Sequence, residues 1–223
     1  MQDRILVRTK DGSHTVLDLQ SGQHYHSLWG AITESRHVFI RSGLETALSE
    51  KSNLHILEMG FGTGLNAYLT MLHVANMLVE LHYTAIERQP LDPEFCSHLN
   101  YPLLCEPEGD SGSFMELHHA PWNVTCPLST SFYLRKMQVS LESAELPSNF
   151  DLVFYDAFAP QYQAGLWSVS IFQKLHGLMV PGAVLTTYCA KGQVKRNMRE
   201  AGFRLESLPG PPGKREMTRA FKI

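Results

Sequence analysis

Apolar residues change their rhythm several times along this chain. Residues 4–8 (Arg4-Ile5-Leu6-Val7-Arg8) and 14–19 flank Asp11-Gly12, which predicts two short strands about a hairpin turn. Over 30–48, Ile32, Val38, Leu44 and Leu48 are spaced for one face of a helix, with Thr33 as its candidate cap. A short apolar run at 54–59 then predicts a strand. It leads into the glycine loop Gly60-Phe61-Gly62-Thr63-Gly64 and a helix over 65–78. A second strand over 81–86 ends at Glu87, and 114–118 reads as a third. The continuous apolar run 151–155 predicts a buried strand ending at Asp156. Beyond it come a helix over 166–178, a strand over 183–188 and a helix over 191–201 stopped by Gly202. Residues 203–208 and 218–223 can close as an antiparallel edge pair. Between Pro121 and Pro147 only 132–141 alternates as a strand, and the rest reads as loop.

Strands that alternate with helices predict a doubly wound α/β sheet. In such sheets ligands bind outside the carboxyl ends of the strands. Gly60 to Gly64, Glu87 and Asp156 each fall just past a strand end, so they are expected to line one crevice. The organisation is read as an N-terminal hairpin and helix extension over 1–50 and a Rossmann-like domain over 51–223.

Composition narrows the class. The chain has 223 residues, of which 43% are hydrophobic and 18% charged, enough to bury a core without staples. No apolar run reaches the roughly 18 residues of a spanning helix, and Met1-Gln2-Asp3-Arg4 does not open like a signal peptide. Cys96, Cys105, Cys126 and Cys189 form no CxxC pair, so reduced thiols in a cytoplasm are expected. The net charge is −3, unevenly spread: residues 191–223 hold nine Lys/Arg against three Glu, and the other residues ten against nineteen Asp/Glu. A basic C-terminal segment on an acidic body is either a footprint for phosphates or merely a basic surface.

The glycine loop is G-x-G-x-G, and Leu65 stands where a dinucleotide fingerprint needs its last small residue. That departure suits a nucleoside with an amino-acid tail better than a pyrophosphate; the alternative is a plain tight turn. Glu87, 27 residues after Gly60, can accept hydrogen bonds from both hydroxyls of a ribose, or be a solvated strand-end acid. Asp156 can accept a proton or steer an amine, or cap its own loop. His24 and His26, and the adjacent His118 and His119, lack a third ligand cluster, so structural histidines are expected and no metal. Pro209-Gly210-Pro211-Pro212-Gly213-Lys214-Arg215-Glu216 is a stiff turn that offers two cations to phosphates, or a hairpin loop between edge strands.

Several blocks together resemble the methyltransferases that make 5-methylaminomethyl-2-thiouridine at the tRNA wobble position, free-standing or fused to a flavin oxidase. They are Tyr25-His26-Ser27 with Gly30-Ala31, Glu34-Ser35-Arg36-His37-Val38-Phe39-Ile40, and Leu57-Glu58-Met59 with the glycine loop and Leu65-Asn66. Tyr155-Asp156-Ala157-Phe158-Ala159-Pro160, Thr187-Tyr188-Cys189-Ala190-Lys191-Gly192 and Pro209 through Met217 complete the likeness. The resemblance implies a class I S-adenosylmethionine-dependent methyltransferase fold: a doubly wound, mostly parallel sheet with an antiparallel edge. It implies methyl transfer to the aminomethyl nitrogen of wobble uridine, with the tRNA anticodon loop as partner and no membrane. It places S-adenosylmethionine at Glu58, Gly60, Gly62, Gly64 and Glu87, and catalysis at Asp156. Where the family usually carries Gly-Asp, this chain has Leu141-Glu142-Ser143-Ala144, which puts the adenine-side contact on Glu142. With no flavin half in this sequence, methyl transfer alone is expected.

The chemistry such a reaction asks for is a neutral amine aligned behind an activated methyl. Asp156 is the candidate to orient the amine and take its proton. Tyr188 and Phe158 are candidates to stack on an unpaired base, or ordinary packing residues. Lys191, Lys214 and Arg215 are the candidate tRNA contacts. A spermidine-synthase-like aminopropyl transferase, with the same sheet and an acid after the fourth strand, is the competing reaction; an idle binding protein on this fold is a third reading.

Overall fold

A computed structural model describes residues 3–49, 51–106 and 112–223. Strands β1 (Arg4–Arg8) and β2 (His14–Asp18) form the expected hairpin, and the two-residue β3 (Gln23–His24) extends it into a small antiparallel sheet. A helical run follows, in three consecutive pieces: α1 (Ala31–Ser35), a π-helical segment (Arg36–Leu44) and α2 (Glu45–Leu48). Then come β4 (Asn53–Met59), α3 (Leu65–Val74), β5 (Glu80–Ile86), α4 (Pro93–Cys96), α5 (Tyr101–Cys105) and α6 (Gly112–His119). The chain continues through β6 (Thr125–Pro127), β7 (Phe132–Met137), β8 (Phe150–Tyr155), a 3₁₀ turn (Ala164–Trp167) and α7 (Val169–Leu178). It closes with β9 (Met179–Thr187), α8 (Gly192–Glu200), β10 (Phe203–Pro209) and β11 (Glu216–Lys222).

The main sheet has the order β10-β11-β9-β8-β4-β5-β7-β6. Its five central strands, from β9 to β7, run parallel; β11 and β10 at one edge and β6 at the other are antiparallel. Because β4 pairs with β5 on one side and with β8 on the other, the strand order reverses at β4. A crevice therefore opens beyond the carboxyl ends of these strands.

All six residues of β8 are buried, and from Leu152 to Tyr155 they alternate between two cores. Leu152 and Phe154 join Ile56, Phe39 and Tyr68 on one face of the sheet. Val153 and Tyr155 join Leu57, Phe172 and Met198 on the other. Val16 and Ala31 of the N-terminal extension share the first of these cores with Leu54 and Ile56, so apolar packing runs without a break across position 50.

Three expectations need correction. Residues 114–118 are helical, within α6, because Phe114, Leu117 and His118 are buried at i, i+3 and i+4, which is the helical period. The third parallel strand is β7 instead, within the stretch 132–141, and part of the expected loop before it pairs back as β6. Thr33 does not cap the first helix. Asp11 in the hairpin turn does so from a distance: its Oδ2 accepts from Thr33 N at 2.9 Å and Thr33 Oγ1 at 2.8 Å, while Oδ1 accepts from Ser13 N and Thr9 Oγ1.

These donors hold the Asp11 carboxyl down at about 2 against the opposing effect of burial. A carboxylate whose folded pKa lies below its unfolded one stabilises the fold above the unfolded value. Asp11→Ala is therefore expected to cost about 1–2 kcal/mol in denaturant unfolding at pH 7, the usual range for a lost cap. The difference from the parent should shrink as pH falls from about 4 toward 2, where the parent's own carboxyl takes up its proton.

Candidate active site

The crevice holds a cavity of about 470 Å³ bounded by the glycine loop, Glu87, Asp156 and the Tyr25 to Ser27 segment. Its floor is the turn from β4 into α3. Gly60, Gly62 and Gly64 all have positive φ, at 90°, 49° and 71°, a backbone state that side chains with a Cβ rarely adopt. A Cβ on Gly60 would also sit 3.2 Å from the Asp156 carbonyl oxygen, so the loop and the end of β8 approach through bare backbone. Gly60, Gly62 and Asp156, expected together from their strand-end positions, do line one cavity. Gly64 sets the loop's final turn into α3.

Glu87 is fixed by backbone donors. Its Oε2 accepts from Gly62 N at 3.2 Å and its Oε1 from Gln89 N at 2.7 Å, which holds the carboxylate at the cavity wall beside the loop. Glu142 lies on the rim, exposed, while its backbone carbonyl accepts from Lys174 Nζ. Glu58 is placed differently. It is buried, 1% exposed, beneath the loop, and is not among the residues lining the cavity. Burial drives its carboxyl well above the ordinary range, with Asp156 and Glu87 adding to the effect. Under the floor it can support the loop, one layer below the wall where a cofactor contact was expected of it.

Asp156 stands at the centre. Asn66 Nδ2, from the first turn of α3, donates to its Oδ2 at 2.9 Å. Burial pushes its carboxyl up to about 7; the Glu34 carboxylate adds to the rise, and Asn66 and Lys214 oppose it. An acid poised there can take a proton at physiological pH and release it again.

Beside Phe158, a stacking candidate from the sequence, the remaining wall holds Tyr25, His26 and Glu34, to which sequence reasoning gave no role. Tyr25 packs edge-on against Phe158 at 5.3 Å between centroids, and both rings line the cavity. His26 Nε2 is 2.8 Å from Thr63 Oγ1 of the glycine loop, and burial lowers its pKa to about 4, which keeps the ring neutral. Glu34, in α1, is buried at 6% exposure, where its Oε2 accepts from Ser27 N at 2.9 Å. Its signal was present: an acid four residues before Val38, inside the apolar stripe of a helix, is a buried charge and needs a partner.

That partner is Lys214, whose Nζ donates to Glu34 Oε1 at 2.5 Å and lies 3.8 Å from the centroid of Tyr188. The Pro/Gly turn between β10 and β11 was expected to offer two cations outward. Only Arg215 is exposed; Lys214 lines the cavity. The turn is tight because Gly210 N donates to Arg215 O and Lys214 N to Pro211 O. A Cβ on Gly210 would fall 2.5 Å from the Lys214 carbonyl oxygen, so glycine is required there. Tyr188 donates its hydroxyl to Ala157 O at 2.8 Å, and the Lys214 ammonium covers its ring. Lys191 is exposed and bonded to Gln161. Trp29 is 50% exposed, with Lys10 Nζ 3.3 Å from its ring centroid and Gly213 against it.

Among the described residues, no group of three or more His, Cys, Asp or Glu is arranged to hold a metal ion. His118 packs against Phe61 and Phe114, and its pKa is lowered to about 4 by burial and Lys136. No helix among the described residues is long and apolar enough to cross a membrane.

Comparison with known proteins agrees with this geometry. Residues 128–223 match the family model described as S-adenosyl-L-methionine-dependent methyltransferase. The chain is 31% identical to the "tRNA 5-methylaminomethyl-2-thiouridine biosynthesis bifunctional protein MnmC" of Chromobacterium violaceum, over 94% of this chain and 34% of that protein. It is 32% identical to the protein of the same name from Burkholderia thailandensis, over 97% and 35%. The chain thus spans about a third of the length of these relatives. Among solved structures, MNMC2 from Aquifex aeolicus superposes with a TM-score of 0.79 at 25% identity, over 98% of this chain and 70% of that one. Spermidine synthase from Thermotoga maritima superposes with a TM-score of 0.54 at 11% identity, over 94% and 68%, and so shares the fold alone. The fold is that of class I S-adenosylmethionine-dependent methyltransferases, and the cavity fits the cofactor. The loop is a cradle that a Cβ would fill, and the acid fixed beside it at the end of β5 has the chemistry to accept hydrogen bonds from ribose hydroxyls.

Proposed function

We propose that this chain, which has the fold of an S-adenosylmethionine-dependent methyltransferase and is similar to the MnmC proteins, methylates the aminomethyl nitrogen of 5-aminomethyl-2-thiouridine at the tRNA wobble position. Its setting would be the cytoplasm. The observation that carries the reading is the placement of one proton-accepting acid, Asp156, between the glycine loop and an aromatic-lined cavity. Bound S-adenosylmethionine supplies a methyl on a sulfonium, whose C–S electron pair stays with sulfur when an amine nitrogen takes the methyl.

The chain's own residues have two tasks. Gly60, Gly62 and Glu87 would hold the nucleoside part of the cofactor, and Glu142 on the rim would supply the adenine-side contact. Asp156, oriented by Asn66, accepts a hydrogen bond from the amine and then its proton. Alignment by a bound macromolecular substrate supplies much of the rate. Tyr25 and Phe158 offer apolar faces to a base drawn out of its loop, as single-stranded RNA bases are generally held. Exposed Lys191 and Arg215, with Lys10 over Trp29, supply positive charge suited to RNA phosphates.

The test is incubation with labelled S-adenosylmethionine and tRNA lacking the final methyl, followed by nucleoside analysis. Label in 5-methylaminomethyl-2-thiouridine is expected. Label elsewhere in the tRNA, or none, would overturn the reading. An aminopropyl transferase would instead leave tRNA unlabelled and consume decarboxylated S-adenosylmethionine with a polyamine.

A further inference from the structure

The cavity holds more charge than the proposed reaction has so far used. Asp156 lies past β8, Glu34 comes from α1, and Lys214 reaches in from the β10–β11 turn. Two carboxylates near one hole would stabilise an ammonium, and an aliphatic ammonium has no lone pair with which to attack. Lys214 changes that balance. Its ammonium is hydrogen-bonded to Glu34 Oε1 at 2.5 Å, and Glu34's other oxygen is occupied by Ser27 N. The Glu34 charge is therefore matched, and at this end of the cavity Asp156 is left as the carboxylate that faces an incoming amine, while Glu87 is held by Gly62 N and Gln89 N at the glycine-loop wall and Glu142 lies exposed on the rim.

We propose that Lys214 is a positioning residue that neutralises Glu34, so that the end of the cavity at Asp156 offers an incoming amine one free carboxylate and receives that amine uncharged. This rests on the amine-methylating reading above, and it replaces the phosphate contact that the sequence suggested for Lys214. Glu87 and Glu142 belong to the glycine-loop wall and the rim, away from the Glu34–Lys214 pair, and the remaining groups around Asp156 add no cation. Glu58 from β4 is buried beneath the loop with its carboxyl driven well above the ordinary range; Tyr83 from β5 and Tyr188 after β9 are phenols driven well above their ordinary range by burial; His26 is neutral. A cationic cofactor in the same cavity makes a second cation on the amine still less favourable.

The position of Lys214 is built in, not incidental. His37 Nε2, on the π-helical segment, donates to the Pro209 carbonyl at 2.8 Å and ties the base of the turn to the helical run that carries Glu34. Gly213 is seated against Trp29, two residues beyond Ser27. The turn is thus anchored on both sides of the Glu34–Lys214 contact.

The experiment compares the parent with Lys214→Met, Lys214→Arg and the double variant Glu34→Gln/Lys214→Met, using two readouts. The first is the pH profile of kcat/KM for tRNA methylation. The second, free of cofactor and substrate, is the NMR titration of the Asp156 carboxyl. With Lys214→Met the acidic limb of the profile should move up by about one pH unit, and the Asp156 midpoint should rise in the same direction. Activity near pH 7 should drop about tenfold and recover in alkali. The double variant removes both charges and should bring both readouts back toward the parent; Lys214→Arg should resemble the parent throughout.

A rate lost equally at every pH, with an unmoved Asp156 titration, would overturn the proposal. So would weaker tRNA binding with a flatter salt dependence, which would make Lys214 a phosphate contact after all. If the parent methylates no tRNA at any pH, the functional reading fails by itself. The titration then still decides whether Lys214 offsets Glu34 at Asp156. Should Lys214→Met fail to fold by thermal unfolding, Lys214→Gln serves in its place.

Discussion

Asp156→Asn is expected to reduce the rate of methyl transfer by about 10²–10⁴-fold, the span that general acid–base groups usually contribute. Binding of S-adenosylmethionine should stay within about threefold of the parent. The amide keeps the shape of the side chain and can turn its oxygen to the Asn66 donor, so the wall of the cavity survives. What it loses is the ability to receive a proton. Single-turnover kinetics and calorimetry separate these effects: a fall in kcat with an unchanged cofactor Kd is the expected pattern. A parallel fall in both would mean that Asp156 holds the cofactor instead.

The same substitution carries a stability signature of opposite sign. The Asp156 carboxyl is raised to about 7 in the folded protein, so the native state binds more protons than the unfolded chain between about pH 4 and 7. Stability from this group is present at low pH and declines as pH rises through that window. Asp156→Asn should therefore show a higher Tm than the parent at pH 8 and no advantage at pH 4. A residue that weakens the fold at the pH where it works is characteristic of function, and packing alone would not retain it.

How much of this was legible in the sequence depended on whether a residue's place follows from local pattern. The glycine loop, Glu87 and Asp156 each sit one step past an apolar strand, and parallel strands in a doubly wound sheet bring such positions to one crevice. The inward wall from Tyr25 to Ser27 was not legible as part of a site. Those side chains face the cavity only because the hairpin packs its Val16 face into the same core as β4. Lys214 was misjudged for a related reason. A Pro/Gly turn between edge strands reads as solvent-facing, and only the anchoring of Pro209 to His37 and of Gly213 to Trp29 turns its lysine inward. The strand expected at 114–118 failed because five residues cannot separate a period of two from one of 3.6. The rings of Tyr68 and Tyr101, which accept Phe114 edge-on, select the helix.

Glu87→Ala is expected to weaken S-adenosylmethionine binding by about 10–100-fold, with much less effect on kcat at saturating cofactor. Each hydrogen bond to a charged group contributes about 1.5–3 kcal/mol, and a ribose offers this carboxylate two hydroxyls. The backbone donors that hold Glu87 sharpen the expectation. Gly62 N and Gln89 N both aim at it, so its removal also leaves two N–H groups at the cavity wall without their acceptor. Glu87→Gln keeps one acceptor oxygen and should fall between the parent and alanine. Glu142→Ala is the internal comparison: that side chain is exposed on the rim, with no backbone donor among the described residues holding it, and its loss should cost at most a few-fold in affinity. Equal losses at both positions would mean that the rim contributes as much as the ribose wall, and would shift the cofactor away from the end of β5.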